Sequence, residues 1–199
     1  MDFRQRVDPD VDTITVNETR VARKPQVYIV MNKPEGYVTT RTDERGRATV
    51  YDLLDKVEEW VFPVGRLDMD SSGLLIFTND TRFGDKLTSP DSHVPKTYRV
   101  LLDIPLKPIH RKQIEEGFVL NGEQLLPVEM RSEKTSDSFW VEMTLHEGKN
   151  RQIRRMFESL GYEVKELIRT RVGNFVLGGL ERGKWKYLSK EEVELLSKS

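Results

Sequence analysis

Apolar and polar positions along the chain change period several times, and each change predicts an element. Ile153, Met156, Phe157 and Leu160 fall at i, i+3, i+4 and i+7, so one apolar stripe predicts a helix over residues 150–160, with Gly161 placed to end it. Shorter apolar runs at residues 27–31, 61–64, 74–78, 97–102 and 139–145 are strand-sized. Pro34 and Gly36 stop the first run and predict a turn, from which Tyr37-Val38-Thr39-Thr40 returns as a second strand with Lys33 at the bend. Thr49 can cap a short helix through Leu54, a second follows Asp80 to Leu87, Pro108 opens a third that ends near Gly117, and a last runs from Lys190 to Leu196. Asn121-Gly122 is the sharpest hairpin signal. Without a strict strand–helix–strand rhythm, this mixture predicts an α+β fold with a mixed, largely antiparallel sheet and flanking helices. Residues 1–24 are polar apart from the alternating patch Thr13-Ile14-Thr15-Val16-Asn17 and read as a tail, leaving 25–199 as the folded domain.

Composition narrows the function classes. With 199 residues, 37% of them hydrophobic, the chain can bury about two thirds of its extended surface, in one domain that can divide into two lobes. The lack of cysteine excludes disulfides, thiolate zinc sites and a cysteine nucleophile. His93, His110 and His146 offer no pair at i, i+4, so no metal site is expected. No apolar run approaches the roughly 20 residues of a membrane helix. Met1 to Arg6 has no following apolar core, so a cytoplasmic setting is expected. Lys plus Arg (32) nearly balances Asp plus Glu (33), yet residues 20–47 hold seven basic against three acidic side chains, and residues 146–184 nine against five. A phosphate-facing surface needs such a local field rather than a basic average, although clustered charge is more often simply solvated.

The carboxylate-rich stretch from Gly65 to Gly73, held between two apolar runs, is the most informative segment. Several readings compete for it. Asp68, Asp70 and Ser72 can be turn residues bonding their own backbone. They also match the early positions of an EF-hand calcium loop, but Asn79 stands where a bidentate glutamate belongs and the flanks read as strands. A pair of glycosidase acids is conceivable, although Asp68 and Asp70 on one short loop need not face a common sugar.

Gly65-Arg66-Leu67-Asp68, followed by a small-residue turn, an apolar strand and Thr78-Asn79-Asp80, resembles the signature of the RsuA/RluB/RluE/RluF pseudouridine synthases. Asn32-Lys33-Pro34-Glu35-Gly36 is similar to that family's Lys-Pro-x-Gly turn. His93 to Val100 and Glu147 to Met156 resemble its later motifs, in the family's order across residues 27 to about 188. The resemblance implies the pseudouridine synthase fold, two lobes around a catalytic cleft, and isomerisation of a uridine in ribosomal RNA or its precursor particles. That reaction needs neither redox chemistry nor ATP, so no cofactor is expected. Asp68 is implied as the catalytic carboxylate and Tyr98 as the surface on which the flipped base packs, although alternation with Val100 and Leu102 equally makes Tyr98 a core aromatic. Arg154, about 100° from Ile153 on the helical wheel, is the expected charge partner of Asp68, with Arg151 and Arg155 pointing outward. Arg66 is expected to fill the space of the flipped nucleotide or bind its phosphate, and Lys33, Lys96, Lys149, Arg151 and Arg155 to contact phosphates. Residues 10–24 resemble only the end of the region that follows an S4 domain, which suits the short RluE-like branch, a large-subunit RNA target and, by default, a monomer. A non-catalytic RNA-binding assembly factor and a carboxylate hydrolase remain the alternatives.

Overall fold

The computed structural model describes residues 15–16, 19–20, 25–117, 119–132 and 139–198. Among the described residues seven strands carry the main sheet: β1 (Tyr28–Lys33), β2 (Ser72–Thr78), β3 (Lys96–Leu102), β4 (Glu129–Ser132), β5 (Trp140–Leu145), β6 (Val164–Val172) and β7 (Trp185–Tyr187). Their spatial order is β7-β1-β2-β6-β3-β5-β4, with short strands at residues 62–64 and 175–176 added along β2 and β6. Every neighbouring pair is antiparallel except β2 with β6, so the expected α+β class and mixed, mostly antiparallel sheet are what the chain forms. Among the described residues four helices flank it: α1 (Thr81–Thr88), α2 (Pro108–Glu116), α3 (Gln152–Ser159) and α4 (Lys190–Ser197).

Period-two alternation divides the core between the faces of the sheet. Val30, Leu74 and Ile76 face one side and pack with Phe83 and Leu87 of α1 and Leu196 of α4. Ile29, Met31, Leu75 and Phe77 face the other side, under the short 3-10 turn that starts at Val50. On that same side, β3 and β5 bring Val100, Leu102, Val141 and Met143 against Ile114 of α2 and the stripe Ile153, Met156 and Phe157 of α3. Each of those three α3 side chains is at least 95% buried, a gain of about 1.5–3 kcal/mol apiece that outweighs the helix's modest length.

Three local expectations change. Residues 37–40 do not return as a strand; Val38 makes a single bridge to Thr49, and the free edge of β1 is taken by β7. The reason is burial: β1 is buried along nearly its whole length and needs a neighbour on both sides. The helix expected from residue 150 begins at Gln152, because Arg151 adopts a left-handed conformation with φ 47° and ψ 31°. The nine-residue strand β6, which the apolar pattern did not predict, lies in the middle of the sheet. The Asn121-Gly122 hairpin forms with both residues at positive φ, 53° and 81°, as a two-residue loop requires. The expected tail falls mostly outside the described residues.

Candidate active site

One rung of the sheet builds the floor. Lys33 of β1 pairs with Gly73 of β2, Gly73 with Arg169 of β6, and Arg169 with Tyr98 of β3. Residues opposite one another on paired strands share a face, so two cations and an aromatic ring line up across four strands. Gly73 makes that spacing possible. It sits at φ +102°, and a Cβ there would lie 2.3 Å from the Arg169 carbonyl oxygen. Any side chain would push β2 and β6 apart.

The loop carrying Asp68 is tied down on this floor. Lys33 is fully buried, and its Nζ donates to the carbonyls of Pro34 (3.1 Å), Asp68 (2.9 Å) and Ser71 (2.7 Å). Burial lowers its pKa to about 8 against the raising influence of Asp68, Asp70 and Glu35. The expectation of Lys33 as a phosphate contact is therefore corrected: no nucleic acid can reach it, and three inward-facing carbonyls need its donors. From the other side, the Thr39 hydroxyl donates to the Leu67 carbonyl at 2.7 Å.

Arginines from α3 approach the same loop in an arrangement that departs from expectation. Arg154 does not contact Asp68. Its guanidinium donates to the carbonyls of Val164 (2.9 Å) and Asp70 (2.5 Å), and its Nε lies 3.1 Å from an Asp70 carboxylate oxygen. Arg151 does not simply point outward: it grips the Asp70 carboxylate through both terminal nitrogens at 3.0 and 2.9 Å and lies 3.6 Å from Asp68. The left-handed turn at Arg151 explains the exchange, because it swings that side chain back over the loop at a cost of about 1–3 kcal/mol in strain. Asp70 is thus more than a turn residue. Burial pushes its pKa up, but the hydrogen bonds from Arg151 and the charges of Arg154 and Arg151 outweigh this and hold it below the ordinary value.

A cavity of about 740 Å³ opens over the floor, bounded by Arg66, Asp68, Ser71, Lys96, Tyr98 and Arg169 and by the 145–153 segment. That is ample for a nucleoside. Tyr98 is half-buried and packs against both core clusters on its face of the sheet, presenting part of its ring to the cavity. A second cavity of about 660 Å³ lies across the loop, sharing Arg66, Leu67, Asp68 and Arg151 as its wall. Arg66 is exposed between the two, with no side-chain partner among the described residues. Lys149 lines the cavity and, with Arg155, forms a network with Glu123 and Glu147 at 3.1 to 3.4 Å. The pairs with Glu123 are partly open to solvent and worth about 0–1 kcal/mol, whereas Glu147 is largely buried and also accepts from Gln152 and the Leu126 N–H. His93 and His146 also line the cavity and clasp each other, each ring Nδ1 lying 3.4 or 3.2 Å from the other's carbonyl oxygen. Among the described residues no group of three or more acidic or histidine side chains could hold a metal, and no helix is long and apolar enough to cross a membrane.

Arg169 was not singled out from the sequence. Only 4% of it is exposed, and its Nε donates to the Leu74 carbonyl at 2.8 Å. Lys96, whose Nζ donates to the Val94 carbonyl, has its pKa lowered to about 8 by burial and by the charge of Arg169. Neither has a carboxylate within ion-pair distance among the described residues.

Fold and site together define a class: an enzyme whose sheet presents a carboxylate loop at a cationic cleft walled by an aromatic ring, the equipment for chemistry on one nucleotide of a polyanion. Comparison with known proteins makes this specific. Residues 27–159 match the model of the RNA pseudouridylate synthase family. The chain is 38% identical over 189 residues to ribosomal large subunit pseudouridine synthase B of Bacillus subtilis, covering 93% of this chain and 77% of that protein. It is 40% identical over 168 residues to ribosomal small subunit pseudouridine synthase A of Vibrio cholerae, covering 83% and 72%. A solved pseudouridylate synthase superposes with a TM-score of 0.79 at 31% identity, covering 96% of this chain and 83% of that one. The chain belongs to the RNA pseudouridylate synthase family and is an RNA-modifying isomerase.

Proposed function

We propose that this enzyme isomerises a uridine in large-subunit ribosomal RNA, with Asp68 as its catalytic carboxylate. The observation that carries the assignment is the position of Asp68: it stands at the wall between two cavities, on a loop clamped by Lys33 below and Thr39 beside it. Asp68 acts on the sugar or the base of a flipped uridine. Tyr98 packs on that uracil, a contact worth about 1–3 kcal/mol. Arg154 serves the site through Asp70, holding the loop in place. Arg66 takes the space or phosphate of the extruded nucleotide, which offsets part of the few kcal/mol that flipping costs. Lys149, Arg151 and Arg155 meet phosphates at the rim. Relatives named for the large subunit support the choice of RNA, and the Vibrio cholerae relative named for the small subunit supplies the competing target. The proposal includes a monomeric, cytoplasmic enzyme that uses no cofactor; sedimentation at assay concentration tests the first of these.

The test is release of tritium from C5-labelled uridine in each ribosomal RNA, using the wild type and Asp68→Asn. Release from large-subunit RNA by the wild type, with none from the variant, is expected. Near-normal release by Asp68→Asn would remove Asp68 from the chemistry, and release confined to small-subunit RNA would change the target.

A further inference from the structure

Lys96 and Arg169 flank Tyr98 on one face of the sheet. Lys96 lies two residues before it on β3, about 7 Å along the strand, and Arg169 lies directly across from it on β6, with Cβ atoms about 5 Å apart. Both line the large cavity, and no carboxylate of the described residues neutralises either. Keeping two adjacent cations desolvated and unneutralised is costly. Lys96 registers that cost in its lowered affinity for a proton. A pocket with this arrangement gains most from a ligand that becomes negative inside it.

Resting on the assignment of Tyr98 as the base platform, we infer that Lys96 and Arg169 bind the uracil through its O2 and O4 and stabilise the negative charge it carries while detached from the ribose. When the C1′–N1 bond breaks, its electron pair moves to N1 and is delocalised onto O2 and O4, leaving C1′ electrophilic. The base turns, C5 bonds to C1′ with an electron pair of the ring, C5 gives up its proton, and N1 takes one from solvent. Atoms and charge balance without a co-reactant. A neutral uracil draws modestly on the two cations, and the transient anion far more. Stabilisation therefore grows as the bond breaks, which is the condition for accelerating the step. A backbone phosphate, by contrast, is equally charged before and after the step and would be anchored without changing its rate.

The experiment compares uridine with 5-fluorouridine at the target position of the same RNA, under single-turnover conditions with saturating enzyme. Loss of the starting nucleoside is followed by rapid quench, digestion and chromatography. Fluorine withdraws electrons and makes the base a better leaving group, so it depends less on the protein's cations. Lys96→Met and Arg169→Gln are expected to slow loss of uridine by about 100-fold, as removal of one charge-stabilising donor typically does, and loss of 5-fluorouridine by less than tenfold, with RNA affinity within about threefold of wild type. Equal slowing of both substrates, or weakened RNA binding with the saturated rate preserved, overturns the inference in favour of a structural or phosphate-anchoring role. Arg169→Gln sits in the buried rung and can fail to fold; half-buried Lys96→Met then decides the matter alone. Tyr98→Leu separates this inference from the reading beneath it: full activity in that variant would dismiss the base platform, whereas its loss beside unchanged leaving-group sensitivity in Lys96→Met would dismiss only the role of the cations.

Discussion

Replacing Lys33 by methionine asks whether the buried ammonium serves the fold or the chemistry, and opposing quantities set the answer. The lysine's pKa falls from 10.5 to about 8. That drop of 2.5 units corresponds, at about 1.36 kcal/mol per unit, to roughly 3 kcal/mol by which folding disfavours the charged form at neutral pH. Methionine fills a similar volume and removes that cost. Against it, the Ser71 carbonyl loses a donor where water cannot replace it, about 1–3 kcal/mol. The partly buried carbonyls of Pro34 and Asp68 lose less. Global stability should then change by no more than about 2 kcal/mol in either direction, within a near-cancellation of desolvation against hydrogen bonding. The Asp68 loop, however, loses its buried side-chain tether and keeps the Gly36 N–H to Met69 carbonyl bond, and displacing a reacting group by about 1 Å costs on the order of 100-fold in rate. Urea denaturation followed by circular dichroism and single-turnover tritium release from the same preparation measure the two effects. A variant with normal turnover would refute the positioning argument. A stability loss of 4 kcal/mol or more would show that the lysine is part of the core and that the desolvation cost is overstated.

Asp70→Asn should reduce single-turnover activity by about 10- to 100-fold with RNA affinity little changed, because it removes the shared anion that fixes Arg151 and Arg154; wild-type kinetics would return Asp70 to a turn role. Between pH 8 and 10.5 stability should rise while activity falls: the unfolded chain keeps the protons of Lys33 and Lys96 that the folded chain has released, yet both lysines act in the charged form. Parallel stability and activity profiles would contradict this. Activity should survive exhaustive treatment with EDTA, and rescue specifically by calcium would revive the calcium-loop reading of residues 68–79. Arg155→Ala should lower the log–log salt slope of RNA binding by less than one unit, since Glu123 already occupies that guanidinium; a drop of a full unit would mean the pair opens completely on RNA.

The parts of this molecule that a single period describes were legible. The α3 stripe, the Pro108 helix and the Asn121-Gly122 hairpin each follow from local spacing alone, and the motif order identified the family. The longest element that escaped is β6, and the reason is its irregularity. Its pairing with β3 shifts register between Val164 and Glu166 and again between Arg169 and Arg171. Bulges of this kind break strict alternation, leaving Val164, Leu167, Arg169 and Val172 as the buried positions. A strand with that spacing and three basic residues reads as a charged surface segment, so both the strand and its buried arginine stayed hidden. The burial of Lys33 is hidden for a different reason: a lysine beside Pro-x-Gly looks like an exposed bend until the loop from Asp68 to Ser71 is folded over it.

The pairing of Arg154 with Asp70 in place of Asp68 alters how the catalytic carboxylate is prepared. A sequence places Asp68 and Asp70 two residues apart and offers two arginines one helical turn away, without saying which pairs with which. In the fold both arginines take Asp70, and Asp68 keeps one distant partner at 3.6 Å. A carboxylate held at both oxygens by a guanidinium has its lone pairs engaged and is a poorer nucleophile, so an Asp68 clamped in that way would be orderly and inert. Asp70 accepts the clamp in its stead. The cationic field still reaches Asp68 through Arg151, while Lys33 and Thr39 fix its loop through backbone carbonyls rather than through the reacting oxygens. Position is thereby set by groups that leave the carboxylate free, which is the division of labour a reacting acid requires.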